Sequence, residues 1–162
     1  MNPPNYMLAK KKIMIITKIS DVQEIVKLLQ ESSLPSSDLK VAQNSFFFGV
    51  FSGKSLCSCV GVEFYAGLGL LRSLAVSPTY QKKGIGSALV MHIENFSLLQ
   101  SVDEIYLLTT TSRDFFKMLG YSHIGRNIVP KAIKDSTQFS SVCPDSATIM
   151  YKKLQDKNRI HR

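Results

Sequence analysis

Leu70-Leu-Arg-Ser-Leu-Ala-Val76-Ser-Pro78-Thr-Tyr-Gln81-Lys-Lys-Gly84-Ile-Gly86-Ser-Ala-Leu-Val90 decides the fold. Leu70, Leu71, Leu74, Ala75 and Val76 form an apolar run that Pro78 ends, which predicts a buried strand. After Gly84 and Gly86, the residues Ile85, Ala88, Leu89, Met91 and Ile93 continue at mixed helical spacing. The first N–H groups of a helix have no partner inside it. Glycines let another group approach those N–H groups, and the helix dipole favours an anion there. Lys82 and Lys83 add positive charge. The stretch therefore predicts a strand, a tight turn and a helix start, with a site for a phosphate or pyrophosphate at the turn.

The chain has 162 residues, enough for one domain with a real core, and 44% of them are hydrophobic. Its net charge of +8 is unevenly placed. Residues 1–12 and 152–162 hold eight Lys/Arg against one acid, Asp156, which leaves a net of +1 for residues 13–151. The folded part carries no basic stripe interleaved with aromatics, so nucleic acid is not an expected partner. No apolar run reaches membrane-spanning length, and residues 1–19 lack the regions of a signal peptide. Cys57, Cys59 and Cys143 form neither a disulfide framework nor a zinc pattern. They fit a reducing, cytoplasmic compartment, and no metal is expected.

Working outward along the chain, Lys12–Ile19 reads as a first strand. Ser20 with Gln23 offers a capping box for a helix whose face is Val22, Ile25, Val26, Leu28 and Leu29. Residues 38–43 suggest a short second helix. Strands near 45–51, 55–65 and 68–77 read as an antiparallel meander. A long helix follows from Gly84 to Leu99, then a strand over Glu104–Thr110 and a helix over Ser112–Leu119. Tyr121–Gly125 reads as a strand, Val129–Ser136 as a short helix, 137–145 as a loop and Ala147–Lys153 as a last strand. The ends, 1–11 and 155–162, read as loose tails of a single domain spanning 1–162.

Leu74-Ala-Val76 followed by Gln81-Lys-Lys-Gly84-Ile-Gly86 resembles the acyl-CoA signature of the GNAT N-acetyltransferases, and the predicted element order is that family's order. The resemblance implies an α/β fold: a mixed, mostly antiparallel sheet of about seven strands with helices on both faces. It implies acetyl-CoA as cofactor and a small-molecule amine as acceptor. Leu74, Ala75 and Val76 would bond the pantetheine arm as an added strand does. Gln81, Lys82, Gly84, Ile85, Gly86, Ser87 and Ala88 would surround the pyrophosphate, and Lys83 would either support the 3′-phosphate side or stay solvated. Ser112-Arg-Asp-Phe115-Phe116-Lys-Met-Leu-Gly120-Tyr121 resembles the second half of the signature, with one departure. Phe116 stands where the family commonly has a tyrosine that reprotonates the CoA thiolate, so either Ser112, Thr111 or water would supply that proton or the thiolate would leave without acid help. Homodimerisation is left open.

Glu63 is the only acid on the central meander. It is a candidate base or substrate ligand; alternatively it faces solvent or pairs with Arg72. Arg72 is a candidate clamp for a carboxylate or other oxyanion. Leu34-Pro35, Asn44-x-Phe-Phe-Phe-Gly-Val50, Tyr106-Leu-Leu-Thr109 and Phe139-x-x-x-Cys143-Pro144-x-Ser146-Ala147 extend the likeness to acetyltransferases associated with arsenic-resistance gene clusters. That finer resemblance implies an amino-acid-like acceptor such as an arsenical. Asp38, Cys143 and Ser146 are then candidate acceptor-pocket residues, each also readable as structural.

Overall fold

The computed structural model of the chain describes residues 13–40, 42–142 and 144–155. Seven strands form one sheet: β1 (Thr17–Lys18), β2 (Ser45–Ser52), β3 (Ser55–Tyr65), β4 (Leu68–Val76), β5 (Glu104–Thr109), β6 (Ser122–His123) and β7 (Thr148–Lys153). Their spatial order is β1-β2-β3-β4-β5-β7-β6, and every pairing is antiparallel except β4 with β5. The helices are α1 (Val22–Glu31), α2 (Ile85–Leu99), α3 (Arg113–Met118) and α4 (Lys131–Lys134).

Strand alternation sends side chains to two faces. One face carries Phe48, Val60, Val62, Leu71, Ile105 and Leu107, which pack against Leu89 and Ile93 of α2 and Phe116 of α3. On the other face, Phe47, Cys59 and Ala75 meet Ile25, Leu28 and Leu29 of α1, and Leu70, Tyr106 and Ile149 meet Ile133 of α4. β3 lies in the middle and is buried from Leu56 to Val62. The α/β arrangement with helices on both faces matches the expectation.

Several local expectations shift. The first strand shrinks to Thr17–Lys18, paired with Gly49 and Phe48. Ile13 and Ile15, 82% and 69% exposed, pair with no strand among the described residues. Asp21, not Ser20, caps α1: its extended backbone lets its carboxylate accept from the Gln23 N–H at 2.9 Å. Tyr121–Gly125 contributes only Ser122–His123 to the sheet. The loop expected at 137–145 contains a π-helical turn, Gln138–Val142.

The second helix expected over 38–43 does not form among its described residues. Six residues without tertiary support are too few to hold a helix, and Asp38 has a stronger partner. Its carboxylate takes two charge-assisted bonds from Arg72, Nη1 to Oδ2 at 2.5 Å and Nη2 to Oδ1 at 2.7 Å. Arg72 Nη1 also reaches Glu63 Oε1 at 3.3 Å, and its Nε donates to Ser73 Oγ at 3.0 Å. The Asp38 and Arg72 side chains are 6% and 2% exposed. Burial pushes the Asp38 carboxyl up, but the hydrogen bonds and charge of Arg72 outweigh it and hold the group below its ordinary range. This fork ties the long connection between α1 and β2 to the middle of the sheet.

Two outcomes test this account. A Cβ on Gly49 would stand 2.3 Å from the Ser58 carbonyl oxygen and 2.7 Å from Ile19 Cδ1. Gly49→Ala should therefore part β2 from β3 and lower stability by about 2 kcal/mol in a denaturant titration. The folded pKa of Asp38 lies below the ordinary value of 3.8. Its contribution is thus complete above that value and fades as pH falls through the lower folded one. Asp38→Asn should cost about 2 kcal/mol at neutral pH, between the values for exposed and fully buried pairs. It should also flatten the acid limb of the Tm–pH profile; an unchanged limb would remove Asp38 from the account.

Candidate active site

The site begins with a bulge. Cys59 pairs with Ala75 and Gly61 with Arg72, so two residues of β4, Ser73 and Leu74, face the single residue Val60. Ser73 sits at φ 57°, in the left-handed region. The Cys59 thiol donates to the Ser73 carbonyl at 3.2 Å; burial pushes that thiol up to about 12, so it is a neutral donor. Beyond the bulge, β4 leaves β5: their parallel pairing covers only Gly69 with Ile105 and Leu70 with Tyr106. Ser77 N–H bonds the Cys57 carbonyl of β3. Successive N–H groups of a strand point to opposite sides, so those of Val76 and Leu74 turn to the open side.

A cavity of about 640 Å³ opens beside the end of β4 and the turn that follows it. Leu74, Ala75 and Val76 form one wall and Thr111, Ser112 and Phe115 line it as well, with Gln81, Lys82 and residues 84–87 completing the turn. Lys82 and Gly84 sit at φ 61° and 81°, which curls the backbone into a concavity ahead of α2. A Cβ on Gly84 would meet nothing within 4 Å; it would enter the cavity itself. Ala88 N–H closes onto the Gly84 carbonyl at 3.1 Å. The amides of residues 84–87 therefore have no partner within the helix, whereas that of Ala88 does. Gln81 turns its side-chain amide onto the Val76 carbonyl at 2.9 Å. Lys83 does not line the cavity; its ammonium lies 5.6 Å from the centre of the Tyr80 ring. An open glycine-rich concavity, free helix-start amides and the Lys82 charge together fit a pyrophosphate-bearing cofactor.

A second cavity, of about 120 Å³, adjoins the first. Both are lined by Leu34, Leu74, Thr111 and Ser112. Arg72, Thr109, Phe116, Gln138, Pro144 and Ala147 are among the residues that line only the smaller one. Ser112 occupies the junction, its own N–H bound to Thr109 Oγ1 at 3.0 Å. Arg72 reaches this cavity, but four of its five N–H groups are engaged by Asp38, Glu63 and Ser73. The fork expected to clamp a substrate carboxylate is thus closed on Asp38.

Asp38 and Glu63 approach the smaller cavity through Arg72 and line neither space. Glu63 Oε2 also accepts from Ser45 Oγ at 3.4 Å. Burial and the nearby Glu63 charge push the Tyr65 phenol up to about 12. Ser146 is exposed and off both cavities, and Cys143 lies outside the described residues. Sequence reasoning passed over Gln138: no motif marks it, and its segment reads as loop.

The sequence profile of the acetyltransferase (GNAT) family matches residues 18–121. An uncharacterised N-acetyltransferase of Chlorobaculum tepidum is 36% identical over 101 residues, a stretch covering 61% of this chain and 61% of that protein. Among solved structures, N-acetylglutamate synthase from Neisseria gonorrhoeae, complexed with coenzyme A and N-acetyl-glutamate, superposes with a TM-score of 0.70 at 18% identity. That superposition covers 90% of this chain and 36% of the synthase. A Mycobacterium tuberculosis protein in complex with CoA and NLQ gives 0.68 at 19% identity over 87% of this chain and 99% of its own. An aminoglycoside 6′-N-acetyltransferase complexed with coenzyme A gives 0.67 at 16% identity over 89% and 99%. The structural likenesses bear on the fold, and with the profile running through more than half of the sequence, the chain belongs to the acetyltransferase (GNAT) family.

Proposed function

We propose that this protein is an acetyl-CoA-dependent N-acetyltransferase acting on the amine of a small, amino-acid-like acceptor. The observation that carries the reading is the junction of the two cavities at Leu74, Thr111 and Ser112. It joins a concavity suited to a pyrophosphate to a compartment with room for a small molecule. Acetyl-CoA supplies the activated thioester carbonyl. The amides of residues 84–87 and the Lys82 ammonium hold the phosphates, and the Leu74 and Val76 N–H groups hold the arm, with a donor left to polarise the carbonyl. Ser112 or Thr111, at the junction, can return a proton to the departing thiolate, since Phe116 has none to give, and the proton shed by the attacking amine, carried by water, replaces it. A thiolate leaves readily enough that a weak donor suffices.

Glu63 and Arg72 shape the acceptor side electrostatically. Together with Asp38 they sum to a net charge of −1, which favours an acceptor bearing an ammonium. The one uncommitted Arg72 N–H is available for an acidic oxygen. The resemblance to arsenic-resistance acetyltransferases makes an amino-acid-like arsenical the first acceptor to try. A cytoplasmic setting belongs to this reading and is supported by the free thiols of Cys57 and Cys59. No helix among the described residues is long and apolar enough to cross a membrane. A homodimer is also part of the reading, with Met91 and Leu99 of α2 as available apolar surface, 61% and 82% exposed; sedimentation velocity decides it.

Thiol release should appear with acetyl-CoA and one or more of glutamate, its phosphorus and arsenic analogues, and polyamines. Gly86 lines the larger cavity, and a Cβ there would already lie 3.4 Å from Phe115 Cζ. Gly86→Trp should fill the cavity, keep the fold and lower acetyl-CoA affinity at least about a hundredfold by calorimetry. Unchanged affinity would overturn the cofactor assignment. Tight binding without turnover would make the protein a CoA-binding module.

A further inference from the structure

Three buried side-chain oxygens or nitrogens lack a hydrogen-bond partner among the described residues: Ser58 Oγ, Ser97 Oγ and Gln138 Oε1. The first two are hydroxyls off both cavities. Gln138 differs. It opens the π-helical turn after α4, is 7% exposed, and lines the smaller cavity. A carbonyl oxygen can only accept, and leaving one unpaired in a buried place is costly. Such a group in a cavity wall calls for a partner that arrives with a ligand.

No donor of the wall bonds it in this structure. Arg72 is the one charged residue lining this cavity, and its bound N–H groups are turned to Asp38, Glu63 and Ser73. Thr109 Oγ1 is occupied by the Ser112 N–H. The missing partner is therefore a donor, and an amine brings one whatever its protonation state. We infer that Gln138 Oε1 accepts an N–H from the acceptor's amine, making Gln138 an acceptor-binding residue that orients a primary amine for attack. The inference rests on assigning the smaller cavity to the acceptor. A neutral primary amine brings two N–H groups, so Gln138 can hold one while the nitrogen lone pair stays free for attack.

The Gln138→Met variant tests this, because it keeps the side chain's length and removes the carbonyl. The full-length variant, free of ligand, should melt at the wild-type temperature or higher, since an unsatisfied group has gone. Its KM for the amine should rise about tenfold, with the KM for acetyl-CoA unchanged. In parallel, melting is followed with CoA plus glutamate, its phosphorus and arsenic analogues, or spermidine, which needs no turnover. The added stabilisation by an amine should be present in the wild type, kept by Gln138→Glu, which retains an acceptor oxygen, and lost in Gln138→Met. If thiol release proceeds with equal amine KM in wild type and Gln138→Met, the Gln138 assignment falls and the transferase reading stands. If there is no thiol release but the amine stabilisation vanishes in Gln138→Met, Gln138 stands and the transferase reading falls. Loss of amine binding in Gln138→Glu, a lower Tm for ligand-free Gln138→Met, or no amine stabilisation in the wild type each overturns the inference.

Discussion

The parting of β4 from β5 is the constraint on which the rest depends. Two parallel strands would normally zip along their length, but here the pairing stops after Leu70 with Tyr106. The bulge at Ser73 bends β4 away while β3 keeps it anchored on the other side. Unpaired strand amides are costly when buried, and here they face a cavity. The exposed backbone between the parted strands has a use only if something else supplies the missing strand. A cofactor arm lying along those amides would supply the partners that the sheet leaves missing.

The Asp38–Arg72–Glu63 cluster governs the neighbouring space differently. Taking three charges out of water gains little net stability. What it gains is placement: Leu34 and Pro35, on the connection that Asp38 tethers, form part of the wall of the smaller cavity. The cluster also sets the sign of the field there without presenting a free charge to the ligand. The other polar side chains that line the smaller cavity, the Thr109–Ser112 run and the Gln138 amide among them, are neutral.

Much of this was legible from local rules. The 70–90 stretch has its strand end, turn and helix start in one uninterrupted pattern, and the structure puts them where the glycines and Pro78 predict. The meander over β2, β3 and β4 followed from alternation and turn residues. What escaped was set by distant partners. Asp38 looks like a helix residue until Arg72, far along the chain, claims it. Arg72 looks like a free clamp for the same reason. Ala88 was expected in the cradle, but one turn of helix encloses its amide. Gln138 carries no local mark at all; only the cavity beside it makes its carbonyl conspicuous.

Ser73 and Lys82 hold left-handed backbone without being glycine, one at the bulge of β4 and one in the turn before α2. Each such residue costs about 1 kcal/mol relative to a relaxed backbone. That strain is present before any ligand arrives, so the cleft meets its ligand already shaped and little ordering remains to be done on binding. The same two positions are where thermostability and fidelity of shape pull in opposite directions. A glycine at either would relax the chain and loosen the rim, so selection for a more heat-resistant protein and selection for a tighter site would choose different residues there.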